Sequence, residues 1–373
     1  MVNYLSGGKI RGSSTLSVAP STTGLKLIKR STPLGSDGDS ISSGTFTAKD
    51  NLQALIYIKI PSGNSGNPNA LLSFNGDGNS DTDYAQNYMQ GTSTGTSISN
   101  QANQSVTGIT TSDGMSTGSV IFTRVDISNM ANVQKLLTYS SVFDRNGTTK
   151  ATAPCRIQGV GKYDNGSLGT NITSVDIRNN NDGTLVDTDS EIIVLGVDND
   201  DDGTSGTNFW QKLAYAKLDS NASGNPDYLC NQLAIPAKKY LWIREHKGAA
   251  SSTRSKYVFN NESDNYATRA NDWQDSSGSA DGLSVNGTTA NIYNSGGSAE
   301  VFTDTYILNT TTSHKLCISN SIEHNSDGAS NTPAVGQFWW KWCNNDQITS
   351  LTIKNDGTGN FGAGSEVTVW GAD

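Results

Sequence analysis

Hydrophobic residues alternate with polar ones in short runs that are separated by polar turns. In the stretch 48–60, Leu55 and Tyr57 fall on one face of an extended chain, and Ile56 and Ile58 fall on the other. Similar runs predict strands at 25–33, 48–60, 71–75, 119–127, 134–140, 155–163, 172–177 and 190–198. No stretch shows a convincing 3.6-residue period, so the pattern predicts an all-β protein.

The last two of these strands occur twice in the chain. The run 172–177 matches 348–353, and both begin with Ile-Thr-Ser. The run 190–198 matches 365–373, and both begin with Ser-Glu. Earlier matches keep the same order, while their offset drifts from 189 residues (237 − 48) to 175 (365 − 190), as insertions and deletions in loops would produce. The matched positions are Lys26-Leu27 with Lys212-Leu213, Ala48-Lys49 with Ala237-Lys238, Phe74-Asn75 with Phe259-Asn260, Asn87-Tyr88 with Asn265-Tyr266, Phe122-Thr123 with Phe302-Thr303, Lys135-Leu136 with Lys315-Leu316, Pro154 with Pro333, and Lys162 with Lys341.

The duplication predicts two domains of about eight strands each. A sheet of that size must close or pair with another sheet to bury its faces, and the usual eight-stranded solution is a sandwich. We therefore expect two tandem eight-stranded jelly-roll (β-sandwich) domains, 23–198 and 209–373, joined by an acidic linker at 199–208. Residues 1–22 form a Gly/Ser/Thr-rich arm, either a disordered leader or a segment that orders on a partner.

The composition fits this architecture. Only 34% of the residues are hydrophobic and 16% are charged, with 39 glycines, as expected for many short strands with polar outer faces. A net charge of −9 argues against a nucleic-acid partner. No apolar run reaches the ~20 residues of a membrane span, so we expect no membrane partner. No secretory signal is visible at the N-terminus, so we expect synthesis in the cytoplasm of the producing cell. The four cysteines form no CxxC and do not match between the repeats, which predicts free thiols.

One stretch of the linker has the beginning of a calcium loop. Asp198, Asp200 and Asp202 alternate before Gly203, as the hard oxygen ligands of calcium do. The twelfth position is Phe209, so the bidentate glutamate of such a loop is missing. We therefore favour a solvated acidic linker, and calcium is the one cofactor that the sequence suggests.

The densest aromatic stretch is 338–342, Phe-Trp-Trp-Lys-Trp. Flat aromatic side chains can stack on sugars, but period two places Phe338, Trp340 and Trp342 on one face, as in a core strand. We favour core packing, which leaves Trp339 as the only exposed candidate for contact with a glycan.

Catalytic motifs are lacking. The three histidines stand far apart, and the chain contains no GxSxG and no P-loop. A glycosidase would need two positioned carboxylates, and nothing in the sequence selects two. We therefore expect a protein that is not an enzyme.

Several segments of the second repeat resemble a known family. They are Phe209-Trp210 with Leu213, the strand 235–243, Phe259-Asn260 with Asn265-Tyr266, Ile348-Thr-Ser350, and Gly364–Gly371. Together they resemble a jelly-roll module of virion proteins from tailed bacteriophages, especially those of marine bacteria and cyanobacteria. The first repeat matches less well, because Asp189 and Leu195 stand where the module has Gly and Tyr.

The resemblance implies a non-enzymatic structural protein located in the virion. We expect a capsid decoration or knob protein that binds other virion proteins through its arm and first domain. We also expect a homo-oligomer, and a trimer would suit the local three-fold sites of a capsid. One alternative is a double jelly-roll major capsid protein. Another is a tail or surface protein that binds a receptor or a host surface glycan, with loops 91–118 and 270–299 as its contact surface.

Overall fold

The computed structural model describes residues 25–64, 66–77, 83–92, 95–104, 107–109, 115–144, 151–164, 170–198, 208–222, 227–248, 253–273, 279–291, 300–323 and 334–373. Within these ranges there are 24 strands and no helix, which confirms the all-β prediction. The strands of the first repeat are β1 (Lys26–Arg30), β2 (Ser40–Ser42), β3 (Asn51–Lys59), β4 (Ala70–Phe74), β5 (Tyr84–Thr92), β6 (Gly95–Gln104), β7 (Thr107–Gly108), β8 (Val120–Ser128), β9 (Lys135–Phe143), β10 (Cys155–Tyr163), β11 (Val175–Asn179) and β12 (Glu191–Val197). Those of the second repeat are β13 (Gln211–Lys217), β14 (Tyr228–Ala234), β15 (Tyr240–Lys247), β16 (Ser255–Phe259), β17 (Tyr266–Trp273), β18 (Ser279–Gly287), β19 (Ala290–Asn291), β20 (Val301–Leu308), β21 (Lys315–Glu323), β22 (Ala334–Trp342), β23 (Ser350–Asn355) and β24 (Glu366–Ala372).

Each repeat forms one large and one small sheet. In the first repeat the large sheet has the order β1-β12-β3-β8-β9-β10-β5-β6, and the small sheet has the order β2-β11-β4-β7. The second repeat has the orders β13-β24-β15-β20-β21-β22-β17-β18 and β14-β23-β16-β19. Adding twelve to each strand number of the first repeat gives the second, so the whole topology is duplicated.

Eight of the twelve strands in each repeat have the order of a jelly roll. In the first repeat these are β1-β12-β3-β8, facing β2-β11-β4-β7, which is the order of two interlocked Greek keys. This confirms the jelly-roll-like sandwich. The other four strands, β9-β10-β5-β6, extend one sheet beyond the sandwich.

The eight strands that the pattern predicted in the first repeat are all present. The pattern missed β2, β5, β6 and β7, which are polar or only two to three residues long. The predicted loops 91–118 and 270–299 are wrong in part, because the first contains β6 and β7 and the second contains β18 and β19.

The duplicated Ile-Thr-Ser motif is held by two asparagines in each repeat. The side chain of Asn75 accepts hydrogen bonds from the backbone amides of Thr173 and Ser174, and Asn260 does the same for residues 349 and 350. Asn129 and Asn309 accept from the preceding amides, those of residues 172 and 348. Both Asn75 and Asn260 have positive φ, of 58° and 51°, which asparagine tolerates better than most residues.

The structure corrects two of the sequence matches. The hydroxyl of Tyr84 accepts a hydrogen bond from the amide of Phe74 and donates one to the carbonyl of Asp77. The hydroxyl of Tyr266 makes the same two hydrogen bonds, with the amide of Phe259 and the carbonyl of Glu262. The counterpart of Tyr266 is therefore Tyr84 rather than Tyr88. Strand pairing likewise aligns Lys26 with Gln211, because each lies opposite the glycine of the closing strand.

The interior of the second sandwich has the predicted faces. Phe338, Trp340 and Trp342 belong to its core, together with Val367 and Val369 of the closing strand. Gly371 lies near the end of the same strand. A Cβ at this position would lie 2.5 Å from the Leu213 Cδ1 and 2.9 Å from the Lys238 Cγ, so neighbouring side chains leave no room for one.

The chain divides into two compact units. Unit 1 consists of Met1–Gln90, Thr96–Ser141 and Arg156–Phe209, and unit 2 consists of Gly91–Gly95, Val142–Cys155 and Trp210–Asp373. The predicted arm, 1–22, lies outside the described residues. All four cysteines are free, as predicted.

Candidate functional site

Asp198 is the only member of the predicted calcium triad within the described residues. Its Oδ2 lies 2.6 Å from the Lys49 Nζ, and its Oδ1 accepts a hydrogen bond from the amide of Asp50. Asp373 makes the same pair of contacts with Lys238 and Lys239. Asp198 and Asp373 therefore have the same role in their repeats: each ties the end of the last strand to the residues that precede β3 or β15.

The other two members, Asp200 and Asp202, lie outside the described residues, so the calcium site remains a prediction. Within the ranges that the structure describes, no group of three or more His, Cys, Asp or Glu side chains could hold a metal ion.

Trp339 is not exposed, and the prediction of an exposed aromatic at this position is wrong. Its exposed fraction is 1%, although it points away from the core face of β22. Its neighbours on the same sheet face are Arg269, directly opposite on β17, and Lys341, two residues further along β22. Thr92, Pro154 and Asp144, which belong to unit 2, provide polar contacts of this face.

Those contacts bury two cations. The guanidinium of Arg269 donates to the carbonyl oxygens of Pro154 and Thr92, at 2.9 and 2.6 Å. The Lys341 ammonium, which is fully buried, donates to Asp144 Oδ1 at 2.8 Å. A sheet face that carries Arg, Lys and Trp is therefore part of the interior of unit 2.

Asp144 binds two partners. His314 Nδ1 lies 3.0 Å from its second carboxylate oxygen. Burial raises the pKa of Asp144, but the hydrogen bond from His314 and the charge and hydrogen bond of Lys341 outweigh burial, so the pKa lies below its usual value. Asp144 and Lys341 form a buried ion pair, so the loss of either residue would leave an uncompensated buried charge.

A second group of titratable residues lies between the two sheets of unit 2. Glu245 accepts hydrogen bonds from the hydroxyls of Ser255 and Tyr257, and the Lys247 ammonium donates to the carbonyl of Thr253. Burial raises the pKa of Glu245 and of Tyr257, and it lowers that of Lys247. Glutamate, tyrosine, serine and lysine could serve acid–base chemistry, but each of them is at most 3% exposed, which places them out of reach of a large substrate.

The first repeat has apolar residues at the same places. With the offset of 189 residues that Lys49 and Lys238 establish on this strand, Glu245 corresponds to Ile56. With the offset of 185 that Phe74 and Phe259 establish, Tyr257 corresponds to Leu72. The polar group is therefore a feature of the second sandwich and is not required by the fold.

The outward face of the large sheet of unit 2 carries a row of aromatic side chains, of which Trp370 is half-buried while Trp242 and Tyr306 are buried. Trp370, Trp242 and Tyr306 lie directly opposite one another on β24, β15 and β20. The ring centroids of Trp242 and Trp370 are 4.8 Å apart, and those of Trp242 and Tyr306 are 5.6 Å apart with an angle of 13° between the planes. Trp210 lies against both of the last two rings, at 5.7 and 6.0 Å.

A charged pair borders this aromatic row. The Arg244 guanidinium lies 4.4 Å from the centroid of the Trp242 ring and 5.6 Å from that of Phe302. Asp304 accepts hydrogen bonds from the Trp242 indole at 2.6 Å and from the Arg244 Nε at 3.0 Å. Half-buried polar residues, Asn320 and Gln337, continue the row of Arg244 and Asp304 across the sheet.

The half-buried members, Trp210, Trp370 and Arg244, could contact a flat, hydroxyl-rich ligand by stacking and hydrogen bonding. The sequence pattern does not reveal this group, although one signal is present: Trp242, Arg244 and Trp370 all occupy the outward positions of their strands. What the sequence could not supply was the pairing that brings the strands together.

The histidines do not form a site within the described residues. His246 is half-buried on β15, His314 contacts Asp144, and His324 lies outside the described residues. In the part of the chain that the structure describes, we find no helix that is long and apolar enough to cross a membrane.

No protein family model matches the chain, and no curated protein matches it significantly.

Proposed function

We propose that the chain is a non-enzymatic structural protein of a tailed-phage virion, and that it decorates the capsid or forms a knob on it. The observation that carries this proposal is the duplication of a complete twelve-strand jelly-roll-like fold with the same strand order in both halves. The resemblance of the second repeat to a phage virion module supports the same function. Two parts of that module's sequence pattern, Asn260 and the Ile348-Thr-Ser350 segment, are joined by hydrogen bonds, which connects this part of the resemblance to packing rather than to chemistry.

In this proposal, attachment depends on the N-terminal arm and the first domain. Several arms on one oligomer would bind one particle, and effective concentration would raise the overall affinity without any new contact. The alternative within the virion, a double jelly-roll major capsid protein, predicts that the chain forms the continuous shell.

The test is to locate the protein on intact particles by cryo-electron microscopy. We expect its density on the outer surface of the capsid, at local symmetry axes. A continuous shell built of this chain would support the major capsid alternative, and density on the tail would contradict both capsid proposals. In a second experiment, a variant that lacks residues 1–22 should remain folded and fail to bind particles, whereas retained binding would contradict the role of the arm.

A second function, binding of a surface glycan, is favoured by the aromatic row of unit 2. Trp370 and Trp210 are half-buried and offer accessible ring surface beside a paired arginine and carboxylate, which suits sugar rings and hydroxyls. Trp242 and Tyr306 are buried, at 6% and 4% exposed, and both pack against Trp210. Trp339, the residue that the sequence suggested for this role, is buried and is no longer a candidate.

A glycan array probed with the full chain would test this second function. Trp370→Ala and Arg244→Ala should abolish any binding, because both side chains are only half-buried on the outer face and are therefore accessible to a ligand. Lys256→Ala, on the other sheet, is the matched control and should bind as the wild type does. Binding that survives both test variants would contradict the site.

A further inference from the structure

The two repeats differ in which part of the large sheet is exposed. On the outer face of the first repeat, Leu136 of β9 is 57% exposed and Val160 of β10 is 53% exposed. We call this pair, together with the exposed Lys162, the β9–β10 face. It presents large apolar side chains to solvent on two adjacent strands, although apolar side chains normally lie inside.

The counterparts of the β9–β10 face in the second repeat are buried. They are Leu316, Trp339 and Lys341, which are 0%, 1% and 0% exposed. As described above, Thr92, Pro154 and Asp144 supply the carbonyl and carboxylate oxygens that this face binds within unit 2. The fold is therefore able to bury this face against the ends of extension strands, and in unit 2 it does so.

On a second surface of the large sheet, the residues of the second repeat are exposed and those of the first repeat are buried. Phe302, Ile322 and Val335 are 39%, 46% and 37% exposed. They lie directly opposite one another on β20, β21 and β22, so they form a continuous apolar row. We call them the β20–β22 row.

The counterparts of the β20–β22 row in the first repeat are buried. The offset of 180 residues on β20 and β21, and of 179 on β22, assigns them as Phe122, Val142 and Arg156. Their exposed fractions are 1%, 0% and 0%. The repeat thus provides two copies of each surface, and in each case one copy is buried and one is exposed.

We propose that the β20–β22 row of one chain docks on the β9–β10 face of a second copy of the same chain. The occupant is a second copy because the chain already contains the counterpart of this contact. Asp144, which binds Lys341 of the buried counterpart face, lies two residues from Val142 of the buried counterpart row. The contact joins two different surfaces, so it is heterologous, and it produces a closed ring or an open chain of molecules rather than a two-fold dimer. This inference does not rest on a role in a virion.

The test uses the full chain with one surface blocked at a time. Val160→Asp places a charge on the β9–β10 face, and Ile322→Asp places one in the β20–β22 row. Both positions are exposed, so neither variant should disturb folding, which circular dichroism checks. Val285→Asp, at a position that is 41% exposed on β18, is the matched control.

Sedimentation velocity and light scattering then give the mass of each species. We expect the wild type and Val285→Asp to form oligomers, and each blocked variant to run as a single chain of 39.5 kDa. A mixture of the two blocked variants retains one intact contact, so it should form a species of two chains and nothing larger.

Three results would overturn the proposal: a wild type that stays monomeric at all concentrations, a blocked variant that keeps the mass of the wild type, or a mixture of the two that stays monomeric. The last result would indicate an isologous contact, which both substitutions disrupt in every chain.

Discussion

Asn309 is the residue whose replacement should most clearly reveal how the repeated motif is held. Its side chain is fully buried and makes three hydrogen bonds to the backbone. The Nδ2 donates to the carbonyls of Lys238 and Ile348, at 2.9 and 3.3 Å, and the Oδ1 accepts from the amide of Ile348 at 2.7 Å. It thereby joins the start of β15 to the strand that begins with the Ile-Thr-Ser motif.

The expected loss of stability follows from these contacts. A hydrogen bond contributes about 1 kcal/mol net, and a buried polar group that loses its partner costs about 1–3 kcal/mol. Asn309→Ala removes three bonds and leaves the amide of the fully buried Ile348 without its side-chain acceptor. The free energy of unfolding of the second repeat should therefore fall by about 3–5 kcal/mol.

Urea denaturation followed by tryptophan fluorescence can measure this loss. All seven tryptophans lie at position 210 or later, so their emission reports on the second repeat. Asn129→Ala removes the counterpart bonds in the first repeat. It should lower the free energy of unfolding of that repeat, followed by circular dichroism, by a similar amount.

Asn345→Ala is the control, because Asn345 is exposed on the connection that follows β22. Its free energy of unfolding should match that of the wild type within about 0.5 kcal/mol. If Asn309→Ala cost no more than this control, the reasoning that the asparagine holds the motif would be refuted.

Three further predictions follow from the packing and charges. Gly371→Val should destabilise the second repeat by about 1–3 kcal/mol in thermal or urea unfolding, because a side chain there overlaps Leu213; unchanged unfolding would contradict the close approach. Asp144→Asn should cost about 3–5 kcal/mol at neutral pH, because it leaves the buried Lys341 ammonium without a carboxylate. The folded-state pKa of Asp144 lies below its unfolded value, so its contribution is complete above the unfolded pKa and disappears as the pH falls through the folded pKa. The wild type and the variant should therefore converge in acid, and a difference that is independent of pH would contradict this linkage. Calorimetric titration with calcium should give no binding heat, because the carboxylate of Asp198 is already bound by a lysine and an amide; saturable heat that is lost in Asp202→Asn would establish the site.

Much of the fold could be predicted from local pattern. The alternation in 48–60 and 366–373 fixes which residues share a face, because successive side chains of a strand point to opposite sides. The repeat could be found in the same way, since the motif residues that hold the two closing strands are duplicated. The polar strands β5 and β6 could not be found, because their sequences lack apolar alternation and their pairing depends on neighbouring strands.

The candidate sites could not be predicted from the pattern of single strands. Trp339 was correctly placed on the face opposite Trp340, but a pattern cannot say what lies against that face. Trp242, Tyr306 and Trp370 come from three strands that are distant in sequence, and only their register brings the other two rings within 6 Å of the Trp242 ring.

The sequence by itself determined that this chain is a duplicated all-β protein, because alternation and repetition are local properties of the residues. The tertiary structure decided which outward faces are buried and which are open. Leu136 and Leu316 illustrate the reason: they occupy the same position of the same strand, yet one is 57% exposed and the other is 0% exposed. Exposure depends on what packs against a face, and that is a property of the folded chain rather than of any one strand.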